Sequence, residues 1–102
     1  MTGMHRISVQ YSGPADGFES RYTEGHVPLV LALPGLARFT TSRTRALGPG
    51  EVPDFVAELW FEDAETMKAA MRSPEMAATA ADAEELPAEG FVMFTGEVHE
   101  HR

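Results

Sequence analysis

This sequence predicts an α+β fold of the ferredoxin-like β-α-β-β-α-β plan, built on an antiparallel sheet, and three observations lead there. Stretches of alternating polarity occur at residues 5–11, 36–47, 54–62 and 91–100, the period of half-buried strands. Helical periodicity separates the first stretch from the second and the third from the fourth. The middle pair is joined by Gly48-Pro49-Gly50-Glu51-Val52-Pro53, a turn-rich loop with no helix in it. That order matches the ferredoxin-like plan, which sets both helices on one face of the sheet. A chain of 102 residues has room for one domain, residues 1–102, with one core.

In the first strand His5, Ile7, Val9 and Tyr11 share one face, and Arg6, Ser8 and Gln10 the other; Ser12-Gly13-Pro14 is expected to break it. Asp16 is the expected N-cap of a helix carrying Phe18, Tyr22 and Leu29 on its apolar side. Pro28 lacks the N–H that would bond the carbonyl of Glu24, and it biases Val27 away from helical angles. The helix is therefore expected to stop or kink at Gly25-His26-Val27-Pro28. Pro34-Gly35 ends the helical region. Residues 36–47 then read as an exposed strand with Phe39 as its aromatic anchor, and Arg38, Arg43 and Arg45 guard it against edge pairing.

The strongest strand is DFVAELWFE at residues 54–62. Phe55, Ala57, Leu59 and Phe61 make one wholly apolar face, while Val56, Glu58, Trp60 and Glu62 make a mixed one. Asp63 caps a helix running to Met71; Ser73-Pro74-Glu75 starts another, with proline at the first helical position and an acid near the positive end. The alanine-rich run ends near Leu86-Pro87, and residues 91–100 close the fold, with Gly96 a candidate bulge or site of close approach. Helices on one side leave the other sheet face open. It must carry either Trp60 or the Phe55–Phe61 set, which point opposite ways, and in either case large apolar groups there call for cover. A homodimer pairing two open faces supplies it, with Glu58 and other polar groups inside.

With these residues placed, the chain resembles the EthD family, named for a protein required for ethyl tert-butyl ether degradation. The blocks that carry the resemblance are Phe18-x-x-x-Tyr22-x-x-x-His26-x-Pro28-Leu29-Val30, then Leu33-Pro34-Gly35-Leu36, Ala57-Glu58-Leu59-Trp60-Phe61-Glu62-Asp63 and Ser73-Pro74-Glu75. The resemblance implies a dimeric α+β barrel. Relatives of the same fold include muconolactone isomerases, dehydratase-like polyketide enzymes and cofactorless monooxygenases. The family's recurrent histidine matches His26, and its strand acid and tryptophan match Glu58 and Trp60. Many members pair two acids in the last strand, where this chain has Gly96-Glu97.

Composition narrows the function. Sixteen acidic against eight basic side chains give a formal charge of −8, the wrong balance for nucleic acid or an anionic membrane surface. No cysteine is present, so disulfides, iron–sulfur clusters and thiol catalysis are excluded. The N-terminal segment has no apolar leader core, and the longest apolar stretch is too short to span a bilayer. A soluble cytoplasmic protein is expected. Phosphate loops, nucleotide fingerprints and nucleophile elbows are missing, so no cofactor and no metal are expected. His99 and His101 are read as part of a solvated tail, and Met67, Met71, Met76 and Met93 as core filler.

His26 and Glu58 are the candidate catalytic pair. An imidazole's unperturbed pKa of about 6.5 makes both protonation states accessible near neutrality. Burial pushes a carboxylate's pKa upward, towards general acid or base work. Each also has a structural reading: His26 as a helix-end buttress, Glu58 as the partner of Arg38 or Arg43. Trp60, Tyr11, Tyr22 and Phe39 are the candidate ligand contacts, all equally able to serve as packing. Two functions follow. One is a cofactor-independent enzyme acting on an aromatic, lactone or polyketide-like molecule by isomerisation, dehydration or cofactorless oxygenation. The other is a non-catalytic binding or accessory protein for a hydrophobic metabolite.

Overall fold

The computed structural model describes residues 4–102; the expectation drawn from the start of the N-terminal segment, at residues 1–3, lies outside them. Strand β1 (His5–Pro14) leads into a helical segment made of α1 (Phe18–Arg21), a π-helical turn (Tyr22–His26) and α2 (Val27–Leu31). Then come β2 (Leu36–Arg43), β3 (Phe55–Phe61), α3 (Ala64–Met71), α4 (Pro74–Ala83) and β4 (Ala88–Glu97). The strands form one four-stranded sheet in the order β2-β3-β1-β4, antiparallel at every pairing. This is the predicted ferredoxin-like α+β plan. Among the described residues no helix is long and apolar enough to cross a membrane.

Alternation in β3 decides which face the helices cover. Phe55, Ala57, Leu59 and Phe61 are buried, whereas Val56, Glu58 and Trp60 are half-buried on the opposite side. The register places Ile7, Val9 and Tyr11 of β1 directly beside Leu59, Ala57 and Phe55. The core is aromatic at one end. Tyr11 meets Phe18 edge-on at 5.3 Å between ring centroids, and Phe55 lies 5.2 Å from Phe18 and 5.0 Å from Tyr22. Such edge-to-face pairs add about 0.5–1.5 kcal/mol each beyond the area they bury.

Local signals account for α3 and α4. Asp63 accepts a hydrogen bond from the Thr66 amide at 2.8 Å, and Ser73 Oγ accepts one from the Met76 amide at 3.1 Å. Both are N-caps of the expected kind. Other expectations are corrected. β1 runs on through Ser12-Gly13 to Pro14, because β4 starts at Ala88 and pairs with it there. The N-cap of α1 is Gly17, at φ 87° with no side-chain cap, and not Asp16. β2 stops at Arg43, β4 at Glu97, and α4 ends at Ala83. Gly96 sits in register opposite Arg6, and the sheet's irregularity falls instead between Leu36 and Arg38. Met67 and Met76 are core residues, but Met71 and Met93 are exposed.

The helical segment departs most from expectation. It neither stops nor breaks before Pro28, and Val27 is helical at φ −53° and ψ −45°. The turn widens instead: the Val27 N–H donates to the carbonyl of Tyr22, five residues back. Pro28 then falls in the first turn of α2, where a missing N–H costs little.

After α2, Pro34-Gly35 turns the chain into β2, with Gly35 at φ 74°. A Cβ at Gly35 would overlap the Thr66 methyl of α3. Gly35→Ala should therefore cost at least the ~1–2 kcal/mol of a left-handed conformation, plus the displacement of α3. Urea unfolding of the variant against wild type measures it.

Candidate functional site

The π-turn determines which side chains leave the first helical segment together. In an α-helix, residues five apart point about 140° away from each other. A turn closed by hydrogen bonds five residues long brings them to one side. Arg21 and His26 therefore both project towards α4. Gly25 makes this possible: a Cβ there would come within 2.5 Å of Arg21 Nη1. The guanidinium folds back across its own helix over that bare backbone.

Both groups meet Asp82 on α4. Arg21 donates to both carboxylate oxygens, Nη2 to Oδ1 at 2.5 Å and Nη1 to Oδ2 at 3.2 Å. His26 Nδ1 lies 2.8 Å from Oδ2. The side chains are graded in depth, with Arg21 37% exposed, Asp82 18% and His26 4%. The guanidinium, chiefly, holds the Asp82 carboxyl below its ordinary range; burial opposes it and the His26 hydrogen bond adds to it. Asp82 is thus an ionised acceptor at neutral pH, so Nδ1 carries the proton of the neutral imidazole. In that neutral tautomer Nε2 keeps its lone pair.

His26 borders a cavity of about 180 Å³ between the sheet and the helices. Ile7, Val9 and Leu59 form its floor, Val30 and Met76 part of its walls, and Glu84 lies at its rim. Tyr11 and Tyr22, both almost fully buried, also line it. His26, Tyr22 and Tyr11 succeed one another at 4.9 Å and 5.9 Å between ring centroids. Burial, reinforced by the charge of Asp82, pushes the Tyr11 phenol up to about 12, and burial raises Tyr22 further. Both hydroxyls stay protonated at any physiological pH. An imidazole and two phenols thus stand among the groups that line a largely apolar chamber.

The other candidates fall elsewhere. Glu58 and Trp60 lie on the open sheet face, with the whole sheet between them and His26, so His26 and Glu58 are not a pair within one protomer. The alternation of β3 is the physical reason: a residue between Ala57 and Leu59 must point away from the core. Glu58 pairs with Arg6 at 3.3 Å, not with Arg38 or Arg43. Arg43 reaches Glu19 at 2.7 Å. Trp60 is flanked by Arg6 and Arg38, whose guanidinium carbons stand 5.8 Å and 5.5 Å from its ring. Phe39 packs on the helix-covered face beside Leu59, away from the cavity lining. Among the described residues His99 makes an exposed contact with Glu97 at 3.4 Å.

Arg21, Gly25 and Asp82 are the residues that sequence reasoning missed as a group. One signal was available for Asp82. It is the one ionisable group between Met76 and Ala83 in an alanine-rich helix, three residues beyond the buried Thr79 and so on the same side.

Comparison with known proteins agrees with this architecture. A match to the EthD domain covers residues 14–88. An uncharacterized 11.0 kDa protein of the thcB-thcC intergenic region of Rhodococcus erythropolis is 35% identical over 99 residues, 92% of this chain and 95% of that one. An EthD family protein from Bacillus halodurans superposes with a TM-score of 0.84 at 25% identity, covering 94% of this chain and 99% of the other. Two more remote structures share the fold alone. One is a dimeric ferredoxin-like protein of unknown function from Thermobifida fusca, with a TM-score of 0.71 at 14% identity over 96% of this chain and 93% of that one. The other is SnoaB, a cofactor-independent oxygenase from Streptomyces nogalater, with a TM-score of 0.68 at 17% identity over 98% of this chain and 96% of that one.

The clamp on Asp82 has a pH signature. Its folded-state pKa lies below the ordinary 3.8, so its contribution to stability is complete above that value and is lost as pH falls through the folded one. Wild-type protein should lose stability below about pH 4 more steeply than Asp82→Asn. At neutral pH, Asp82→Ala strips two donors of their acceptor and should cost about 1–3 kcal/mol. Thermal melts across the acid range test both expectations.

Proposed function

The chain belongs to the EthD family, and we propose that it is a small cofactor-independent enzyme that moves a proton on a hydrophobic metabolite, with His26 as the acid–base group. The observation that carries this reading is the orientation of one imidazole: its Nδ1 is engaged by an ionised Asp82 while its ring borders an apolar cavity. Asp82 fixes the tautomer and stabilises the imidazolium once a proton arrives. The cavity walls exclude water from an aromatic, lactone or polyketide-like guest.

Isomerisation follows from removing a proton at one carbon and returning it at another. Dehydration follows when the C–H pair forms a C=C bond, the neighbouring C–O bond breaks and the proton is returned to the departing hydroxyl, which leaves as water. A carbanion formed in the same way and met by dioxygen would instead give cofactorless oxygenation. The activity named for SnoaB supports that variant on this fold. The apolar lining favours a second reading, a binding or accessory protein that holds the same guest without transforming it.

The acting unit in this proposal is a cytoplasmic homodimer joined through the open sheet faces. Trp60, Val56, Val92 and Phe94 lie on that side of the sheet, and Trp60 Nε1 and Arg6 Nε are buried without a hydrogen-bond partner among the described residues. The dimeric fold relative supports it. Stable interfaces bury at least about 1,200 Å² in total, within reach of one sheet face and its loops.

His26→Asn keeps a donor for Asp82 but removes the titrating group. With a compound that co-purifies from the native host as substrate, turnover should fall about a hundred- to ten-thousandfold while the melting midpoint changes little. Lost stability with retained turnover would make His26 a buttress; unchanged affinity in a protein that never turns the compound over would favour the binder. Sedimentation equilibrium at micromolar concentration should report the mass of two chains, and a single-chain mass would remove the dimer.

A further inference from the structure

We propose that Tyr11 and Tyr22 form a two-hydroxyl clamp for a substrate carbonyl oxygen, and that the substrate is a mono- or bicyclic ketone or lactone with an acidic C–H beside that carbonyl. This deepens the acid–base reading of His26 and rests on it.

Tyrosine and phenylalanine bury similar rings, so a buried tyrosine usually has a partner for its hydroxyl. Here the rings of Tyr11 and Tyr22 are 1% and 2% exposed, yet neither hydroxyl has a hydrogen-bond partner among the described residues. Neither is a sealed, unpartnered atom, so each oxygen borders space that a small molecule can reach. The same core uses phenylalanine at Phe18 and Phe55 against the same neighbours, so packing alone does not call for the two oxygens. Both rings line the cavity, and Tyr22 stands beside His26. The Tyr11 ring follows at 5.9 Å from that of Tyr22, so the two phenols are neighbours along the cavity lining.

The other charged groups near His26 are arranged consistently. Arg21 is spent on Asp82, Glu85 lies near Arg21, and Glu84 stands at the rim. A ligand bearing a permanent carboxylate would meet Glu84 on entry and Asp82 behind the imidazole. A neutral carbonyl compound meets no such repulsion and develops negative charge only where the phenols can accept it.

The step is redox-neutral. His26 Nε2 takes the proton from the carbon beside the carbonyl. The C–H electron pair becomes a C=C bond, and the carbonyl π pair moves onto oxygen as an enolate held by the two hydroxyls. The imidazolium returns its proton to the same carbon or to a conjugated one, and the second outcome is isomerisation.

Two probes separate the clamp from the base. 2-Naphthol mimics the enol of 2-tetralone, and naphthalene is its counterpart without oxygen. Calorimetry should show 2-naphthol binding wild type at least about tenfold more tightly than naphthalene; Tyr11→Phe and Tyr22→Phe should each weaken 2-naphthol about three- to tenfold and leave naphthalene unchanged. Neither variant removes a hydrogen bond among the described residues, so both should fold. Deuterium uptake by 2-tetralone in D₂O, followed by NMR, should be accelerated by wild type, slowed in the tyrosine variants and abolished in His26→Asn. Equal affinities for the two aromatic probes, or tyrosine variants that bind and exchange like wild type, would overturn the clamp while exchange dependent on His26 kept the acid–base reading. Tyrosine-dependent 2-naphthol binding without any exchange would retain the oxygen clamp and overturn proton transfer.

Discussion

The carboxylate of Asp82 is the point on which the helical layer depends. It accepts from Arg21 and His26, residues of one helical segment, and it belongs to another. It therefore ties the π-turn to α4 across the top of the cavity. A carboxylate at this depth would be costly alone. Bidentate guanidinium contact and an imidazole donor offset that cost, and the first of these is the stronger geometry. The lowered affinity of Asp82 for protons follows, and so does the tautomer of His26. Structure and proposed chemistry share one interaction.

The π-turn and Gly25 serve that interaction. A regular α-helix would send Arg21 and His26 to different sides, and any side chain at residue 25 would occupy the space of the guanidinium. Widened turns of this kind are rare and recur at functional sites. Pro28 fits the same design, since the widening delivers it to the first turn of α2. The feature that looks like a helix breaker in the sequence marks a change of pitch in the fold.

The sheet divides the molecule into two environments. Its helix-covered face holds the aromatic core, the cavity and His26. Its open face holds Glu58, Trp60 and the arginines around them. Strand alternation makes the separation absolute within one protomer. Residues that stand together in a family pattern can therefore occupy different environments, with the cavity on one side of the sheet and the open face on the other.

Alternation and turn chemistry were sufficient to define the architecture from the sequence alone. The four strands, the cap residues Asp63 and Ser73 and the two distinct faces of β3 all express local periodicity. His26, Tyr11 and Tyr22 were identifiable as candidates because their residue types bear the chemistry. Tertiary structure decided what each one meets. Asp82 lies 56 positions from His26 and 61 from Arg21, a separation that no local pattern encodes. The π-turn was equally hidden, because Pro28 is compatible with a stop, a kink or a widened turn, and the widened turn is the one that lets Arg21 and His26 share one carboxylate. The sides taken by Glu58 and His26 were settled last, when the helices covered the fully apolar face of β3 because burying that face removes the most hydrocarbon from water.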